Sequence, residues 1–203
     1  MTTQVTLLRH GETSANRNGI VLGTSDVPLT KIGRLQAKMA AQKIAELEIN
    51  SLFSSPYYRA KETSKYVQET TNLDPIFLDG LKEMNSGEME GSDATRMEEL
   101  YPDYMSKWRK DPTNTRPSGG ETLREVHTRA WKTLKYIHRT NIDKHVVVVS
   151  HLFPIQGIIC KTLGLDSSQY FRIKLELGSL SKIIFEEDVT YVSSINDTCH
   201  LAT

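Results

Sequence analysis

Cysteine is scarce: the 203 residues contain only Cys160 and Cys199. Two thiols make no disulfide framework and lack metal-ligand spacing, so a reducing compartment is the expectation. Charge of one sign is also missing, with 25 lysines and arginines against 25 aspartates and glutamates. There is thus no bulk electrostatic reason to expect a nucleic-acid or anionic-membrane partner, and any anion site has to be built locally. No apolar run approaches the ~20 residues that would span a bilayer. The opening "MTTQVTLLRH" lacks a basic segment followed by a long apolar stretch, so no signal peptide and a cytoplasmic location are expected. Repeats, low-complexity tracts and Pro/Gly/Ser-rich linkers are absent too, which favours a single domain over residues 1–203. What is present, 38% hydrophobic and 25% charged residues, is the balance of an ordinary globular chain able to bury a core.

Along the chain, strand and helix patterns alternate. Residues 4–8 read as a first strand. Thr30 caps a helix over 31–48, with Ile32, Leu35, Met39, Ile44 and Leu47 on one face. A short strand at Leu52 and Phe53 leads through "SSP" into a helix over 57–70, with Pro56 where a first turn tolerates proline. Residues 75–78 form another short strand, 95–110 a helix, and "NTRPSGGE" a loop. A helix over 121–139 follows, with Leu123, Val126, Ala130, Leu134 and Ile137 as its buried stripe. The four valines of "HVVVVS" (145–150) mark a central strand buried on both faces. A helix from Pro154 to about Leu163 and strands over 180–186 and 190–196 complete the pattern. This alternation predicts an α/β three-layer sandwich, a mostly parallel central sheet with helices on both faces.

In such sheets ligands gather beyond the carboxyl ends of the strands. Arg9 and His10 directly follow the first strand, and His151 directly follows the valine strand. One histidine at a strand end is commonly just a hydrogen-bonded structural residue. Two of them, one preceded by arginine, are harder to dismiss. Zinc is disfavoured because His10 has no histidine or acidic partners at ligand spacing. Phosphate chemistry fits better, because a phosphoryl group needs cations and donors fixed around its oxygens. Arg9 and Arg59 offer planar forks, Arg59 at a helix start where backbone amides also favour anions. Asn16 lies in the same loop as His10. A histidine here can act as a nucleophile toward phosphorus, and Glu83 in "LKEMNSGEMEG" is placed to protonate a leaving alcohol and then activate water.

Taken in order, "LLRHGET", Asn16, "GTSDVPLT", "SSPYYRAKET", "LKEMNSGEMEG" and "VVVVSH" resemble the histidine phosphatase superfamily, in its phosphoglycerate-mutase-like branch. The resemblance implies a phosphohistidine on His10 and Glu83 as general acid, then base. Arg9, Arg59 and His151 complete the phosphate pocket, Asn16 adds a donor, and Gly23 and the backbone of Leu152 count among the phosphate contacts. No metal or cofactor is implied. Pro28, Leu29 and Thr30 would turn the phosphate loop into its helix, and an insertion at roughly 84–122 would cover the substrate. "GGET" (119–122) resembles small phosphatase members, although a plain helix start explains it equally well. "NDTCHL" (196–201) does so too, which makes Cys199 and His200 tail residues rather than catalysts.

Three positions depart from the family pattern: Leu22 where a polar residue is usual, Leu152 where glycine is common, and Ser86 where phosphoserine phosphatases carry a histidine. They bear on efficiency and substrate choice more than on reaction type. "PSGGET" and "NDTCHL" resemble α-ribazole and broad-specificity phosphatases, whereas "SHLFP" resembles metal-independent phosphoserine phosphatases. The expected function is a metal-independent phosphomonoesterase acting on a small phosphorylated metabolite. A phosphoglycerate-mutase-type transfer and a non-catalytic phosphate-binding member are the alternatives. The aromatics and cations of "YYRAKETSKY" lie on a helix whose charges read as a solvated face, so nucleic acid is not an expected partner. Monomer and homodimer both stay open.

Overall fold

The computed structural model describes residues 2–202. Its centre is a six-stranded sheet in the order β3-β2-β4-β1-β5-β6. These strands are β1 (Thr3–Arg9), β2 (Ser51–Ser54), β3 (Pro75–Phe77), β4 (His145–Ser150), β5 (Leu180–Phe185) and β6 (Thr190–Asp197). The four strands from β3 to β1 run parallel, and β5 and β6 add an antiparallel edge. Alternation along β4 shows how the layers are built. Val146 and Val148 pack on one face with α6 (Leu123–Thr140) and α7 (Leu152–Thr162). Val147 and Val149 pack on the other with α2 (Lys31–Ala45) and α3 (Tyr58–Thr71). Both faces of the sheet are therefore dry at β4, as the run of valines predicts. A four-residue helix, α1 (Ser14–Arg17), sits between β1 and α2.

Two helices depart from expectation. In α2 the buried residues are Gly33, Ala37, Ala40, Ala41 and Ile44, while Ile32 and Leu35 are half exposed. The helix presents its small residues to α3 because close backbone approach there leaves no room for larger ones. The helix expected over 95–110 is broken into α4 (Met97–Leu100) and α5 (Pro102–Lys110). Tyr101 adopts φ −135° and ψ 56°, since the ring of Pro102 disfavours helical geometry in the residue before it. The remaining helices fall within a residue or two of their predicted spans. Thr30 caps α2 by accepting from the Gly33 amide, and Thr122 closes a capping box with Glu125 at the start of α6.

β1 and β4 are adjacent and parallel, with Arg9 level with Ser150. Their carboxyl ends therefore deliver His10 and His151 side by side. Gly11 is needed for the chain to leave this point. A Cβ there would lie 2.2 Å from the carbonyl oxygen of Gly33, so the loop after β1 packs backbone to backbone on the start of α2.

Candidate active site

The imidazoles of His10 and His151 lie 5.0 Å apart between ring centres, and both are buried. His10 Nδ1 bonds the carbonyl oxygen of Gly11 at 2.8 Å. A carbonyl only accepts, so Nδ1 carries the hydrogen and Nε2 keeps its lone pair. Burial, then the cations Arg59 and Arg9, hold the His10 pKa well below its ordinary value. The ring is a neutral base with one bare nitrogen.

His151 caps the strand end one residue before α7. Its Nε2 meets the Ser55 hydroxyl at 2.7 Å, and that hydroxyl also accepts from the Tyr57 amide. With the hydroxyl proton directed at Nε2, the ring hydrogen sits on Nδ1, which is buried without a partner. Arg59, in the first turn of α3, is the largest fully buried side chain among the described residues. Its terminal nitrogens donate to the carbonyls of Ser25 (2.9 Å) and Gly23 (3.0 Å), and it lies over the Tyr57 ring. Arg9 donates to the Leu175 carbonyl at 2.5 Å. Backbone carbonyls thus fix the end of each guanidinium, and the Nε atoms of Arg9 and Arg59 are buried and unpaired. Arg9, Arg59 and His10 line one cavity and the His151 ring stands 5.0 Å behind that of His10, outside the lining, so the residues grouped about this imidazole carry three unsatisfied buried donors, a set suited to an oxyanion.

Glu83 lines the same cavity as His10, Arg9 and Arg59. Its carboxylate accepts from the amides of Met84 (2.8 Å), Leu152 (3.1 Å) and Phe153 (3.3 Å). Burial nevertheless raises its pKa above the ordinary carboxylate value, against the pull of the Met84 amide and of Arg59, Arg9 and Arg129. A carboxyl that holds its proton more tightly than usual thus lines the same cavity as a neutral imidazole, the combination of groups that acid–base chemistry at a site uses.

Arg9, His10, Asn16, Arg59 and Glu83 line a common cavity of about 330 Å³, as do Leu22, Ser86 and Leu152. Asn16 Oδ1 accepts from Thr13, so its amide nitrogen is what it can offer a ligand. Two expected contacts take other roles here. The Leu152 amide donates to Glu83 rather than standing free for phosphate, and Gly23 holds Arg59 through its carbonyl without lining the cavity. A Cβ on Gly23 would meet the Glu90 carboxylate at 2.0 Å. Cys160 is packed in α7 with its thiol pushed up to about 11 by burial, and Cys199 is exposed in the tail. Among the described residues, no group of three or more His, Cys, Asp or Glu side chains is placed to hold a metal ion. No helix among them is long and apolar enough to cross a membrane.

Residues that sequence reasoning missed hold this constellation together. Ser55 was legible only as part of a turn, yet it orients His151. Arg129 on α6 donates to the carbonyls of Gly80, Lys82 and Glu83 and pairs with Glu121, pinning the Glu83 segment. Thr63 receives the Gly11 amide. The only sequence signal for Arg129 is a cation at the edge of the apolar stripe of α6, between Val126 and Ala130.

Unpaired guanidinium and imidazole donors together with a neutral histidine and a carboxyl of raised pKa, at the strand ends of a layered α/β sheet, are the equipment of a phosphoryl-handling enzyme. The sequence pattern of the histidine phosphatase superfamily (branch 1) matches residues 5–198, and the chain belongs to that family. It is a phosphatase of that superfamily. Phosphoserine phosphatase 1 of Hydrogenobacter thermophilus is 32% identical over 96% of this chain and 92% of its own. A probable phosphoglycerate mutase, GpmB, of Yersinia enterocolitica is 31% identical over 98% and 94%. The solved structure of Bacillus stearothermophilus YhfR superposes with a TM-score of 0.92 at 22% identity, covering 98% of this chain and all of that one, which establishes the likeness of fold.

Proposed function

We propose that the protein hydrolyses small phosphate monoesters through a phosphohistidine on His10, without a metal ion. In the first step His10 Nε2 attacks phosphorus in line with the ester oxygen. The N–P bond forms as the P–O bond breaks, and the protonated Glu83 gives its hydrogen to the departing alkoxide. Arg9, Arg59 and Nδ1 of His151 hold the non-bridging oxygens, so their charge is met by fixed donors throughout. In the second step Glu83, now a carboxylate, takes a proton from water. The oxygen attacks phosphorus, the N–P bond breaks, and inorganic phosphate leaves with His10 neutral again. Two guanidiniums within the pocket supply the positive charge a metal would otherwise bring.

The observation that supports this reading most is the set of three unpaired buried donors beside a bare Nε2. A rapid-quench experiment with an aryl phosphate in chelator tests it. The wild type is expected to yield an acid-labile, alkali-stable phosphoprotein and steady phosphate release. His10→Ala is expected to lose the adduct and at least ~10³-fold in kcat/KM, about 4 kcal/mol, while keeping its circular dichroism. Residual activity within tenfold of wild type overturns the nucleophile, and loss of activity in chelator overturns metal independence. Incubation with 3-phosphoglycerate separates hydrolysis from mutase transfer, since hydrolysis alone releases phosphate.

A further inference from the structure

Above the phosphate-binding floor, the cavity changes character. Of the six methionines in the chain, Met84, Met89, Met97 and Met105 all line it, joined by Tyr104 and Trp108. Every charged lining residue belongs to the floor already described, namely Arg9, Arg59 and Glu83. The segment that forms the wall does carry charge, but it turns it outward. On α5, Tyr104, Met105 and Trp108 face the cavity, whereas Lys107, Arg109 and Lys110 are exposed, with Arg109 paired to Glu98. Leu22 and Leu152 add two more aliphatic side chains beside the floor. The Trp108 indole N–H is itself satisfied by the Tyr170 hydroxyl at 3.0 Å, so it offers a ligand its apolar edge.

We infer that this enzyme's substrates are phosphate monoesters of uncharged, apolar alcohols, aryl or aralkyl in character. This rests on the phosphatase reading of the floor. A carboxylate or ammonium on the leaving group would be stripped of water against thioethers and rings with no charged partner, since the floor's cations are engaged by phosphate and Asn16 and Ser86 offer only neutral groups. An apolar leaving group loses nothing by entering. The thioethers are flexible and polarisable, so the wall selects by polarity more than by outline. Several apolar esters of similar size are therefore hydrolysed comparably well. A volume of about 330 Å³ sits at the small end of ligand sites, room for a single-ring ester.

The test compares 2-phenylethyl phosphate with L-phosphoserine and 3-phosphoglycerate. The first two release primary alcohols, so intrinsic reactivity is similar and the wall decides. The aralkyl ester is expected to exceed phosphoserine by at least thirtyfold in kcat/KM, about 2 kcal/mol. Met105→Arg, at a half-buried wall position, is expected to shrink that ratio at least tenfold, while Met105→Leu retains it and controls for folding. Phosphoserine or 3-phosphoglycerate turned over as well as the aralkyl ester overturns the inference and leaves the phosphatase reading intact. If no ester yields phosphate, the phosphatase reading has failed, and calorimetry with non-hydrolysable phosphonates judges the wall alone. There 2-phenylethylphosphonate should bind at least thirtyfold tighter than the phosphonate analogue of phosphoserine, and equal affinities overturn the inference.

Discussion

His10 and Glu83 line one cavity, and burial shifts them in opposite senses: it lowers the imidazole's pKa and raises the carboxyl's. Each shift favours the form that the proposed first phosphoryl transfer requires. Glu83→Gln should slow alkyl esters by ~10²–10⁴, the usual worth of a general acid, and aryl esters far less, because a phenolate leaves without a proton. The wild-type rate on alkyl esters should also fall as pH climbs through the raised Glu83 value, and Glu83→Gln should lose that limb. Steady-state profiles on one ester of each kind check both points, and equal losses on the two esters would reduce Glu83 to a structural role. At this scale the sequence was informative where chemistry and position coincide, as with Arg9, His10 and His151 at strand ends. It did not report the partner of the Leu152 amide. Helix α7 starts two residues earlier than Pro154 suggested, so the Leu152 amide becomes a first-turn donor and finds Glu83. That bond forms across 69 residues of chain, a distance no local pattern reports.

Helix α2 separates what periodicity can and cannot say. Its existence, cap and start were legible from Thr30 and the spacing of apolar residues, while its end falls at Ala45, three residues short of the expected span. Its buried face was not, because the alanines that touch α3 carry little hydrophobic signal and Ile32 and Leu35 carry much. Leu35→Lys is therefore expected to change stability by no more than about 0.5 kcal/mol, as for an exposed site. Ala41→Leu, inserting a side chain where α2 meets the sheet-facing core, should cost ~1–3 kcal/mol. Urea unfolding of the two variants distinguishes the faces, and a costly Leu35→Lys beside a silent Ala41→Leu would restore the stripe first expected. The break at Tyr101 and Pro102 has a functional counterpart. It sets α5 at its own angle, so that Tyr104, Met105 and Trp108 reach the cavity while the lysines beside them stay in water.

At the scale of the whole molecule, the sheet was readable because four valines in β4 report burial on two faces at once, while the cavity wall was legible only as an insertion at roughly 84–122 implied by the resemblance, not as elements or as an apolar lining. That wall is assembled from 3₁₀ turns and short helices between Met84 and Trp108, whose pattern has neither period. The same dry interior has a global consequence for histidine. His10, His127 and His151 are buried, and desolvation lowers all three pKa values, that of His127 to about 4. His145, half-buried beside Lys182, is also lowered to about 4. A folded pKa below the unfolded one means the unfolded chain binds more protons between the two values. The stability tied to these rings is therefore full above the ordinary histidine value of 6.5 and lost as pH falls below it. For His127 this amounts to about 1.4 kcal/mol one pH unit below that value, and His10 and His151 act in the same direction. Against a typical total of 5–15 kcal/mol, that is a large share. Urea midpoints should drop markedly between pH 7.5 and 5.5, before most carboxylates titrate. His127→Gln, far from the floor and hydrogen-bonded to Ser167, should flatten the slope by about one ring's share. A midpoint unchanged over that interval would mean the rings accept protons in place, and His10 would then lose its neutral form in the same range.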